Sequence, residues 1–198
     1  MWILIEMLPA PKPPAPDSAS WRAIKSEEGV SLRIAPTADP RAFWGEAVGE
    51  IAKPLDAVIA HVIDFQGAKK FIPRVAEIRE LHRGTDEAVV YYRFDLPWPV
   101  SDRDWTVRYR YGRPTPSSFE MVWSEANDLG PPPGKAVRVQ VARGFWLLTA
   151  TDHGTTQARY VFMTEFGGHL PRSVAEQTAW RQPLATIQGV RKALGVGK

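Results

Sequence analysis

Residues 90–111 hold two runs of alternation with a proline corner between them. Val90, Tyr92, Phe94 and Leu96 alternate with Tyr91, Arg93 and Asp95. After Pro97-Trp98-Pro99-Val100-Ser101-Asp102-Arg103-Asp104, the residues Trp105, Val107, Tyr109 and Tyr111 alternate with Thr106, Arg108 and Arg110. A period of two with one apolar side requires strands that are buried on one face and wet on the other. Proline cannot donate to a ladder, so Pro97 and Pro99 belong to a bend. The stretch is therefore a corner joining two antiparallel strands, and their buried side is aromatic.

The same pattern extends in both directions. Trp21 to Lys25 and Val30 to Ile34, separated by Glu28-Gly29, predict a first hairpin. Residues 43–51 predict a third strand, with Gly45 and Gly49 as weak points or bulges. Pro54 suits the first position of a helix, and Leu55, Val58, Ile59, Val62 and Phe65 follow at helical spacing. A short helical turn is expected over residues 68–71. Strands are expected at about 75–83, 87–96, 103–113, 118–125, 136–150 and 155–166. Gly130 to Gly134 is a stiff proline loop. The period then changes. Pro171 opens a helix to Leu194 with a stripe of Leu170, Val174, Thr178, Leu184, Ile187, Val190 and Leu194. Pro183 inside it predicts a kink. Many antiparallel strands with helices segregated to one side make an α+β domain. Its expected extent is residues 20–194, after a flexible proline-rich segment at 1–19 and before a tail at 195–198.

Composition narrows the function. The chain has 198 residues and no cysteine, which removes disulfides, thiol catalysis and thiolate-bound zinc. His61, His82, His153 and His169 are scattered, so neither a metal site nor a cofactor is expected. A net charge of +3 is no nucleic-acid footprint. No apolar run approaches the roughly 20 residues that span a bilayer. Trp2 to Leu8 is broken by Glu6 and lacks a positive start, which reads as a lead-in rather than a signal peptide. A soluble monomer is expected, in the cytoplasm rather than the periplasm, with transient membrane contact left open.

Several segments together resemble the START family of steroidogenic-acute-regulatory-protein-related lipid transfer domains, bacterial type. That family lies within the wider Bet v 1-like and polyketide-cyclase-like superfamily. The resemblance covers residues 20–194. It is carried by Trp44-Gly45-Glu46-Ala47, the helix opened by Pro54, and the corner from Leu96 to Asp104. Val137-Arg138-Val139, Gly144-Phe145-Trp146, Thr156 and Gly167-Gly168-His169-Leu170-Pro171 continue it. It implies a helix-grip fold, in which a curved antiparallel sheet wraps a long C-terminal helix around a hydrophobic cavity. It also implies carriage of a lipid, sterol, quinone or polyketide-like molecule, mostly without catalysis. Steroid-binding members carry an acidic–basic pair inside the tunnel. Here the inward positions after the corner are Trp105, Val107, Tyr109 and Tyr111, without a cation, and Arg108 and Arg110 point outward.

Alternation and the resemblance select the candidate lining. It comprises Tyr92, Phe94, Trp105, Val107, Tyr109, Met121, Trp123, Trp146, Tyr160 and Phe162 from strands, and Val174, Thr178 and Leu184 from the helix. Each could equally be solid core. Tyr92, Tyr109, Tyr160 and Thr164 are the candidate polar groups of such a cavity. Trp98, Asp102, Arg103 and Asp104 read as a structural corner, with Arg103 pairing a neighbouring carboxylate. Two competing readings stay open. One is an aromatase/cyclase-like enzyme using Arg103, Asp104, Glu165 or His169. The other is an interaction module with a filled core.

Overall fold

At the first hairpin turn, Glu28 and Gly29 have φ of 49° and 71°. Two central residues with positive φ match the twist of the flanking strands, so the turn pairs β1 (Arg22–Glu27) directly with β2 (Val30–Pro36). The structure, a computed structural model, describes residues 13–70, 72, 74–96, 98, 101–132, 134–165 and 172–197. Most of the proline-rich lead-in lies outside the described residues. So do Pro97, Pro99 and Val100 of the corner, the segment from Gly167 to Pro171, and with it His169 and Leu170.

The remaining elements follow in chain order: β3 (Phe43–Ile51), α1 (Leu55–Val62), β4 (Val75–Arg83), β5 (Glu87–Phe94), β6 (Arg103–Thr115), β7 (Ser118–Glu125), β8 (Val137–Arg138), β9 (Val141–Ala150), β10 (Thr156–Glu165) and α2 (Arg172–Ala193). Among the described residues the strands form one sheet in the order β1-β2-β3-β10-β9-β7-β6-β5-β4, with β8 beside β6. The pairs are antiparallel except β6–β8. The fold is a large curved sheet with a long C-terminal helix, as the α+β helix-grip expectation requires.

Three local expectations need correction. The strand expected over 136–150 is two strands, because the chain pairs briefly with β6 at Val137 and Arg138 before turning to join β9 to β7. β3 carries no bulge at Gly45 or Gly49, since its pairing with β2 and β10 is continuous. Phe65 lies beyond α1, although it is buried. The last helix is continuous in its described part from Arg172 through Pro183 to Ala193.

The main core lies between the concave face of the sheet, α1 and α2. The opposite face carries a smaller cluster in which Trp21, Ala35, Trp44, Val161 and Met163 pack together. Trp21 Nε1 donates to the Ala15 carbonyl at 3.0 Å, so the segment entering β1 lies against that cluster. Between the strands of this outer face sits Glu46, which is fully buried. Arg33 and Arg159 both donate to its carboxylate. A buried carboxylate is retained only when paired and hydrogen-bonded in this way.

Candidate ligand cavity

Register across the sheet builds the cavity wall. Tyr92 pairs with Trp105, Tyr109 with Trp123, Met121 with Trp146, and Trp146 with Tyr160. One row crosses the sheet as Trp123, Gly144, Phe162 and Gly45. Large and small residues alternate along it. A Cβ at position 144 would lie 2.4 Å from an atom of the Trp123 ring, so glycine is what lets that indole lie across β9. The rings then stack along the wall. Phe65 and Tyr109 have centroids 4.4 Å apart, Phe94 and Trp105 are 4.4 Å apart and 9° from parallel, and Trp123 and Tyr160 are 5.5 Å apart.

All ten strand residues expected from alternation line this cavity: Tyr92, Phe94, Trp105, Val107, Tyr109, Met121, Trp123, Trp146, Tyr160 and Phe162. The helix residues do not. Val174 is 43 % exposed, Thr178 bonds back to the Val174 carbonyl, and Leu184 is buried in the core away from the lining. The inner face of α2 instead runs through Ala175, Ala179, Pro183, Ile187 and Val190, and it presents Gln182 and Thr186 to the cavity. Val62, Phe65, Ala68, Ile72 and Ala142 complete the wall. Gln182 and Thr186 are polar and lie outside the expected stripe. Their four-residue spacing on an otherwise inward face is the signal that reveals them. Thr164 is buried on β10 and its hydroxyl has no partner among the described residues, but it does not line the cavity.

Three phenols meet in this space. The Tyr92 and Tyr109 hydroxyls are 2.9 Å apart, and Tyr160 Oη accepts from Gln182 Nε2 at 3.4 Å. Burial pushes the Tyr160 phenol up to about 12 and holds those of Tyr92 and Tyr109 well above the ordinary tyrosine range. The folded protein therefore keeps protons that the unfolded chain releases near pH 10. Stability is intact below about pH 10 and falls as pH rises through the interval toward 12. Denaturant midpoints measured from about pH 9 to about pH 12 should show this decline, and Tyr160→Phe should flatten it. A decline unchanged in the Tyr160→Phe, Tyr92→Phe and Tyr109→Phe variants would contradict the assignment.

The unfilled space between these side chains is about 70 Å³. Pockets that hold drug-sized ligands run to about 300–1,000 Å³. A ligand of that size enters only as the wall and α2 move apart.

No protein-family model matches the chain. Over 174 residues it is 28% identical to an uncharacterized protein of Pseudomonas aeruginosa, covering 87% of this chain and 86% of that one. It superposes on the STAR-related lipid transfer protein of Xanthomonas axonopodis with a TM-score of 0.81 at 23% identity, over 89% of this chain and 99% of that one. The chain has a START fold. Likeness to the Zhui aromatase/cyclase of Streptomyces sp. R1128 is looser, with a TM-score of 0.59 at 19% identity over 78% of this chain and 94% of that one.

Within the START fold, the corner residues lie away from the cavity. Asp104 is on the outer face of β6, where Arg138 Nε donates to it at 2.7 Å and the Tyr91 hydroxyl at 3.1 Å. Arg93 donates to Asp102 at 2.9 Å. Arg103 donates to the Ser101 carbonyl at 2.6 Å, and Asp102 and Asp104 hold Arg93 and Arg138. Burial lowers the Arg103 guanidinium. Trp98 is 93 % exposed. Glu165 is partly buried, which raises its carboxyl, and it does not face the cavity. Among the described residues no helix is long and apolar enough to cross a membrane.

Proposed function

We propose that this protein binds a hydrophobic small molecule between the sheet and α2, and carries it without changing it chemically. The observation that carries this reading is the lining itself. It is apolar and aromatic, with a few phenol, amide and hydroxyl groups, and no acid or base among the described residues faces it. That is the make-up of a binding pocket rather than of acid–base catalysis. The START fold supports the kind of ligand, since the Xanthomonas axonopodis protein that shares it is a STAR-related lipid transfer protein. Affinity would come from apolar area removed from water, at roughly 25 cal/mol per Å². Loading would require α2 to shift, because Gln182 and Thr186 on that helix close one side of the cavity.

The likeness to an aromatase/cyclase keeps a catalytic reading in view. Two of the groups that it would use, Asp104 and Glu165, face elsewhere, and Arg103 is held at the corner. Binding is therefore the better-supported function.

Native mass spectrometry of the protein as purified, followed by extraction of what is released, tests the proposal. The wild type should carry a stoichiometric apolar molecule or take one up. Trp105→Glu places a charge in the wall and should lose it. A folded Trp105→Glu variant that retains the same molecule at the same occupancy would remove the cavity as the binding site.

A further inference from the structure

The hydrogen-bonding groups of the cavity have an unmet balance that specifies a ligand. Tyr92 and Tyr109 face each other at 2.9 Å. Two hydroxyls in contact share one hydrogen, so the pair keeps one O–H without an acceptor among the described residues. The Tyr160 hydroxyl, by contrast, is already engaged, with the Gln182 amide at 3.4 Å and with the Thr186 side chain. The Gln182 amide is oriented by its neighbour. Thr186 Oγ1 donates to the Gln182 main-chain carbonyl at 2.9 Å, so from the amide it can only accept. That places Nε2 toward Thr186 and leaves Oε1 buried without a partner among the described residues. The cavity therefore offers one donor and one acceptor that are unsatisfied among the described residues. Buried polar groups in that state cost free energy until a partner arrives.

The walls set the rest. No charged side chain among the described residues lines the space, so an ionic headgroup would be desolvated without a counter-charge. The polar groups lie among flat faces. The Trp123 ring lies between Tyr109 and Tyr160, at centroid distances of 5.8 Å and 5.5 Å. Tyr160 and Phe162 are within 13° of parallel. Ring faces of this kind pack against a planar molecule in offset or stacked contact. The raised phenol pKa values agree, because the tyrosines stay protonated and act as donors.

We infer that the cavity selects an uncharged, flat, oxygenated aromatic molecule. A carbonyl would accept from the Tyr92–Tyr109 pair, and a hydroxyl would donate to Gln182 Oε1. The inference rests on the cavity being the ligand site, and it narrows that site to one chemical class. Lipids with ionic headgroups and fatty-acid carboxylates fall outside it.

The probe is 3-hydroxyflavone, a neutral planar hydroxyketone whose two-band emission responds to hydrogen bonding. It is titrated into the wild type, Tyr109→Phe and Gln182→Leu, each checked for folding by circular dichroism. NBD-labelled phosphatidylcholine and palmitate are tested in parallel. The expected result is binding to the wild type, with each variant weakened by about five- to tenfold through loss of one hydrogen bond, and no uptake of either lipid. Equal affinity across the folded variants would overturn the hydrogen-bond assignment while leaving the cavity as the site. Uptake of the phospholipid but not the flavone, lost in Trp105→Glu, would overturn the ligand class alone. Failure of every probe to bind a folded wild type would overturn both readings.

Discussion

Gly45→Ala should cost this protein about 3 kcal/mol or more of stability, an unusually large effect for one added methyl group. A Cβ at position 45 would sit 1.6 Å from the Ala179 carbonyl oxygen and 2.6 Å from its carbon. Both obstacles are backbone, so no rotamer change relieves the clash. The contact exists because of Pro183. In an α-helix the amide of residue 183 would donate to the carbonyl of residue 179, and proline has no amide hydrogen. The Ala179 carbonyl is thus released from the helix ladder, and it rests on the glycine of β3. There the helix backbone lies directly on the strand. Added bulk must lift α2 away from β3 and with it the Gln182 and Thr186 side of the cavity. Urea unfolding should show the lower stability, and a Gly45→Ala protein that remains folded should bind its ligand differently. Wild-type stability and binding in this variant would mean that the helix does not rest where this contact places it. For a domain of this size each kcal/mol lowers the melting temperature by about 2–4 °C, so the loss is easily resolved.

That contact also shows where sequence reasoning stops. Gly45 and Gly49 read locally as bulges, since a strand offers few other reasons for glycine. The real reason for Gly45 is a helix more than a hundred residues later in the chain, which no local pattern encodes. Strand faces were legible because their parity is binary. Once Tyr92 and Trp105 point inward, so do Phe94, Val107 and Tyr109, and the pairing of β7, β9 and β10 carries the rule to Trp123, Trp146 and Tyr160. A helix face needs a phase angle instead. Leu184, Ile187 and Val190 of the expected stripe fall on the buried face, whereas Val174 and Thr178 lie about 100° away from the face that Ala175 and Ala179 define. The difference has a physical source. In its first half the inner face of α2 is small, with Ala175 and Ala179, so hydropathy does not mark it there. Phe65 was recognised as buried but credited to α1, which ends at Val62. The partner of Asp104 at the corner is not legible locally. Arg138 lies 34 residues from Asp104 and reaches it only because β8 adds to β6 in parallel.

Removing that partner should produce the second large effect. Asp104→Ala is expected to lower stability by about 3–5 kcal/mol, the usual cost of leaving one member of a buried ion pair uncompensated. Asp104 is 2 % exposed, and Arg138 bonds it through both Nε at 2.7 Å and a terminal nitrogen at 3.0 Å. The same guanidinium donates to the Pro131 carbonyl at 3.1 Å, so the pair fastens the proline loop to the corner. The Tyr91 hydroxyl, which donates to Asp104 at 3.1 Å, would lose its acceptor as well. Two consequences separate this role from a catalytic one. The double variant Asp104→Leu with Arg138→Met removes both charges and should recover much of the loss, because the desolvation of the pair disappears along with its attraction. Ligand affinity in either variant, measured where it remains folded, should stay within about twofold of the wild type, since Asp104 lies on the face of β6 opposite the cavity. A fully stable Asp104→Asn protein that bound normally but failed to turn over a polyketide substrate would reverse the argument, and Asp104 would then act in chemistry rather than in holding the corner.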